Sequence, residues 1–69
     1  MNIEDYRVKL GWSKAKLARE AGISVGTVID AEKGKNIYKA TAGKITNAIS
    51  KELGYEITYK DIDGLNLAD

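Results

Sequence analysis

Residues 13–34, SKAKLAREAGISVGTVIDAEKG, admit few folds, because apolar side chains recur at helical spacing on both sides of a single glycine. Ser13 is placed to cap a helix whose inner stripe is Leu17, Ala18 and Ala21, spaced i, i+1 and i+4. That helix is expected to end near Ala21. Gly22 follows at the position where a chain leaving a helix commonly turns left-handed, a conformation that costs glycine no Cβ clash. Ile23 then packs inward across the turn, and Ser24 offers its hydroxyl to the free amides of a second helix, expected over 24–33. In that helix Val28, Ala31 and Glu32 fall on the inner face, while Val25, Gly26, Thr27, Ile29, Asp30 and Lys33 point elsewhere. Gly34 stops it.

Small Ala18 and Ala21 beside the turn allow the two helices to cross closely and steeply, which is the geometry of a helix-turn-helix. A plain helical hairpin shares part of this pattern. It does not require Leu17, Ala18, Gly22, Ile23, Val28 and Glu32 each in its own place, and the helix-turn-helix reading rests on that coincidence.

The rest of the chain is simply organised. Asn2 and Asp5 form a capping-box start, after which Ile3, Tyr6 and Leu10 keep helical spacing and Gly11 ends a first helix. Trp12 reads as a core anchor. After Gly34 a loop, KNIYK, leads to a helix from about Ala40 to Glu52, with Ile45, Ala48, Ile49 and Leu53 on one face and Gly54 at its end. Thr58 and Asp61 make another box, so a last short helix is expected from Tyr59 to about Asp63, with Ile62 inward. The expected architecture is all-α: a compact five-helix domain over residues 1–64, followed by a tail, 65–69, with no clear structure or a place at a dimer contact.

Composition bounds the chemistry. At 69 residues and 43% hydrophobic content the chain can bury one small core, and stability depends on good caps. It has no cysteine and no histidine, so disulfides, thiol chemistry and the common zinc sites are excluded. No cofactor and no small-molecule ligand is indicated. No carboxylate or lysine pair has a spacing suited to acid and base work, and no enzymatic activity is expected. The polar amino terminus and the lack of an 18-residue apolar run point to no membrane span and a cytoplasmic placement.

The net charge of +1 hides a strong asymmetry. From Arg7 to Lys51 ten basic residues face only three acidic ones, whereas both ends of the chain are acidic. Basic excess concentrated around the motif favours a polyanion.

From about Tyr6 to Ile62 the sequence resembles the Cro/repressor, or XRE, type of helix-turn-helix regulator. RVKLGWSKAKLAREAGISVGTVIDAEKGK resembles that family's first three helices almost without gaps, and KATAGKITNAISKELGYEITYKDI its fourth and fifth. The resemblance implies a small phage- or bacterial-type transcriptional regulator with its second motif helix in the major groove of double-stranded DNA. It implies a structural ion pair between Arg7 and Glu32, and base contacts from Val25, Gly26, Thr27 and Asp30. None of those four is Arg, Lys, Asn or Gln, so direct base readout is expected to be thin. Lys14 stands where the family often has a glutamine. Gly26 either permits close backbone approach to DNA or is simply tolerated, and Ile29 is either a lone exposed residue or part of a contact.

Phosphate contacts are expected from Lys14, Lys33, Lys35, Lys39, Thr41 and Lys44, of which Lys39 and Lys44 lie beside the free amides at the start of the fourth helix. A domain of this size covers one half-site, which implies a homodimer on a palindromic operator. The family commonly self-associates through its last helix and the preceding loop, represented here by Tyr55, Ile57, Tyr59, Leu65 and Leu67. A different class, a protein-interaction module such as an antirepressor or antitoxin-like partner, would use Ile29 and the uncharged recognition helix against another protein.

Overall fold

The computed structural model describes residues 1–68; Asp69, the last residue of the expected tail, lies outside the described residues. The chain runs through α1 (Ile3–Lys9), α2 (Lys14–Ala21), α3 (Val25–Glu32), β1 (Asn36–Tyr38), α4 (Lys39–Leu53), a 3₁₀ turn (Tyr59–Asp61) and β2 (Asn66–Ala68). The first three helices start where short polar side chains satisfy amides that the helix itself leaves without partners. Asn2 Oδ1 accepts from the Asp5 amide at 2.7 Å while Asp5 Oδ2 accepts from the Asn2 amide at 2.9 Å, closing the capping box. Ser13 and Ser24 cap α2 and α3, each accepting from the amide three residues on.

Helix α2 packs against both α3 and α4, so the motif is built onto the longest helix of the domain. Leu17, Val28, Ile45 and Ile49 are fully buried at that junction, and Ile3, Tyr6 and Trp12 close the core from the side of α1. The inner stripe expected from sequence therefore lies where the helices meet. Gly22 leaves α2 at φ +72°, and the Ile23 amide donates back to the Ala18 carbonyl at 2.9 Å.

The fifth helix is not formed. Thr58 and Asp61 do make their capping box, but the segment from Tyr59 is a single 3₁₀ turn, because Ile62 takes an extended conformation that turns its side chain into the core. One turn fixes too few hydrogen bonds to propagate. The expected KNIYK loop and the expected structureless tail instead supply two short strands. They pair in parallel, with Asn36 opposite Asn66, Ile37 opposite Leu67 and Tyr38 opposite Ala68. Parallel neighbours require a crossover, and α4 provides it. Ile37 is buried between two exposed neighbours, and Leu67 packs on the same core, so the pair covers one edge of the helical layer. Ile57, expected at a dimer contact, is part of the core as well. Its amide donates to Ser50 Oγ at 2.9 Å, and that hydroxyl donates to its carbonyl at 3.2 Å, fastening the segment after α4.

Burial, and after it the carboxylate of Asp61, raise the Tyr6 phenol above its ordinary value of 10.0. The folded state thus holds this proton more tightly than the unfolded chain does. Its stabilising effect is intact below pH 10 and is lost as pH rises through the folded value. Thermal melts across this alkaline range are expected to show a falling midpoint in the wild type and a shallower fall in Tyr6→Phe. Equal slopes would place the alkaline sensitivity elsewhere.

Candidate nucleic-acid interface

Helix α3 is held at both ends. At its start the Ser24 cap accepts from the Thr27 amide at 3.1 Å, and the Ser24 and Thr27 hydroxyls lie 2.8 Å apart. At its end Glu32 receives two hydrogen bonds from the Arg7 guanidinium, Nε to Oε2 at 2.8 Å and Nη2 to Oε1 at 3.2 Å. The third guanidinium nitrogen donates to the Trp12 carbonyl at 3.0 Å. Both side chains are largely buried, at 12% and 8% exposure, so this fork joins α1, the turn before α2 and the end of α3 in one polar contact. The hydrogen bond to Glu32 is the main cause of a raised Arg7 pKa, which keeps the guanidinium charged. Desolvation of both ions cancels much of their attraction, so the pair fixes orientation more than it adds net stability.

Beyond Glu32 the chain reverses at Gly34, whose φ is +82°. The Gly34 amide donates to the Ala31 carbonyl at 3.2 Å and the Lys35 amide to the Asp30 carbonyl at 3.0 Å, the double closure of a Schellman cap. Asn66 Nδ2 adds a bond to the Gly34 carbonyl at 2.6 Å, so β2 also secures the exit from α3.

The outer face of α3 carries the residues expected to meet bases. Val25 is 40% exposed and Gly26 is exposed, while Thr27 and Asp30 are half-buried. Glycine at 26 is not imposed by the fold: a Cβ there would meet only Ser24 Oγ, at 3.8 Å. Glycine there gives up helix propensity without serving packing. Ile29 is half-buried, and a lone exposed aliphatic is not what the structure presents.

Two residues expected to act separately are brought together. Lys35 Nζ lies 3.6 Å from Asp30 Oδ1. The sequence offered a signal for this pairing, since a lysine directly after a helix-ending glycine sits at the Schellman position that returns to the last turn.

Of the remaining expected cations, two stand at helix starts. Lys14 and Lys39 are the first residues of α2 and α4, Lys44 lies further along α4, and Lys33 is the carboxyl cap of α3; all are exposed. Lys14, Lys33 and Lys44 make no ion pair among the described residues. Helix α4 begins after Tyr38 without a side-chain cap, and half-buried Thr41 sits in that uncapped first turn. The apolar set expected at a dimer contact divides: Tyr55 and Tyr59 are exposed, Leu65 and Leu67 are half-buried against the core, and Ile57 is consumed by it. Among the described residues no His, Cys, Asp or Glu cluster is arranged to hold a metal ion, and no helix is long and apolar enough to cross a membrane.

Comparison with known proteins gives one match, to the helix-turn-helix family profile over residues 3–60. No curated protein and no solved structure matches.

Removing one member of the Arg7–Glu32 fork leaves the other charge buried without its partner. Glu32→Ala is therefore expected to cost about 3 kcal/mol in urea unfolding at neutral pH. The double change Arg7→Met with Glu32→Leu is expected to recover most of that loss, because it leaves no orphaned ion. A single substitution costing under about 0.5 kcal/mol, the level of an exposed pair, would contradict the burial seen here.

Proposed function

The chain belongs to the Cro/XRE type of helix-turn-helix family, DNA-binding transcription regulators, and on that premise we propose that it binds operator DNA with α3 in the major groove. The observation that carries this reading is the contrast between the two faces of α3. Its inner face is locked by Val28, Ala31 and the Arg7–Glu32 fork, while its outer face holds a flat first turn followed by polar groups. Such a helix enters a groove amino-terminal end first, where Val25 and the Thr27 methyl meet thymine methyl groups and the Thr27 hydroxyl meets a phosphate or base.

Affinity comes mainly from the backbone of the duplex. Lys14, Lys33, Lys39 and Lys44 supply point charges, and the uncapped start of α4 with Thr41 supplies donors. With few bidentate readers, sequence choice also draws on DNA shape. One domain covers one half-site, so a symmetric dimer on a palindrome gives the useful affinity, with Tyr55 and Tyr59 as the exposed apolar residues available to its contact.

Four phosphates neutralised per protomer imply that log affinity falls with log salt at a slope of about −3.6 for each half-site, and about −7 for the dimer on its palindrome. Fluorescence anisotropy with a labelled duplex, repeated across salt concentrations, measures it. Absence of salt-dependent binding to duplex would reject DNA as the partner.

A further inference from the structure

We infer that Asp30 is the principal base-reading residue of α3, that it selects cytosine, and that Lys35 positions and neutralises it rather than holding a phosphate. This rests on the DNA-binding reading above. Asp30 lies one helical turn beyond Gly26 on the outward side of α3, so the position one turn before it carries no side chain. Of the four residues on the reading surface it alone carries a charge.

A bare carboxylate is a poor occupant of a groove lined by phosphates. Asp30 is not bare. The Schellman closure ties the Lys35 amide to the Asp30 carbonyl at 3.0 Å, and the same two residues meet again through Nζ and Oδ1 at 3.6 Å. The backbone bond returns the lysine to the last turn of the helix, within reach of the Asp30 carboxylate. Asn66, bonded to the Gly34 carbonyl, fixes the loop that carries it. At 3.6 Å the ammonium offsets the charge of the carboxylate through Oδ1, and Oδ2 remains for a donor on a base edge.

The choice of base follows from what a carboxylate lacks. Ionised aspartate only accepts, and the major groove offers two amine donors, on cytosine and on adenine. Adenine sets its N7 acceptor beside the amine, facing the second carboxylate oxygen with like charge. Cytosine sets no acceptor of its own there, so an acceptor-only reader prefers it.

Selection from random duplex DNA, run in parallel on the full chain and on Asp30→Asn, Lys35→Gln and Lys35→Arg, tests the assignment. The wild type is expected to enrich cytosine at one position of each half-site by about fivefold or more. Asp30→Asn is expected to exchange that cytosine for adenine, whose edge asparagine matches, with the neighbouring positions unchanged. Lys35→Gln is expected to lose the cytosine enrichment, and Lys35→Arg to keep it. Lys35 is exposed and Asp30 half-buried, neither closed off in the core, and melting curves of the variants verify that the fold is kept. Cytosine enrichment surviving in Asp30→Asn would overturn the assignment, as would a Lys35→Gln protein that binds every sequence more weakly with the same preference. A wild type that binds duplex with a normal salt slope but enriches no cytosine refutes this inference alone. No salt-dependent binding at all refutes the DNA-binding reading and this inference with it.

Discussion

The Arg7–Glu32 fork is the contact on which the placement of α3 depends. A helix of eight residues cannot hold its own orientation, since isolated helices of that length are marginal in water. Val28 and Ala31 give α3 a narrow apolar footing, and a narrow footing permits rotation about the helix axis. The guanidinium removes that freedom because it is planar and spends three nitrogens on two elements: two on the Glu32 carboxylate and one on the Trp12 carbonyl. Lysine in its place has no such fork. The orientation of the outer face is thus set by a residue of α1 that does not belong to the motif itself.

The carboxyl end of α3 is secured a second time by the chain that follows it. Gly34 reverses direction, Lys35 closes the Schellman cap, β1 begins one residue later, and β2 returns from the far end of the chain to pair with β1 and bond the Gly34 carbonyl. What looks like a tail is a second brace on the exit from α3. The consequence is a division of labour: α1, α2 and β1 pack against α3, β2 bonds the chain at its exit, and its amino-terminal turn is capped by Ser24.

Much of this was legible in the sequence, and the failures have physical causes. Helices α1 to α4 announced themselves through Asn2, Ser13 and Ser24 as caps, through the stripes ending in Ala21 and Ala31, and through glycines at 11, 22, 34 and 54. The Arg7–Glu32 pairing came with the family resemblance, since a separation of 25 residues carries no periodic signal. The strands were missed because three residues are too few for an alternating pattern, and because parallel pairing joins segments that share no local cue. The fifth helix was overcalled because a capping box marks a start and says nothing about length; Ile62 turning into the core ended it. Of the candidate interface, the residue types and the cation placement were readable. The union of Asp30 with Lys35 depends on the chain reversal at Gly34, which brings together two charges that share no helical spacing.

The central claim is that double-stranded DNA meets the amino-terminal ends of α2, α3 and α4. Amide chemical-shift mapping of the labelled protein during titration with a duplex measures this directly. The account predicts that the shifts concentrate on residues 13–16, 24–30 and 39–44, with the Ser24, Thr27 and Thr41 amides among the largest. Shifts concentrated on residues 55–63, or none at duplex concentrations well above those of the protein, would contradict it.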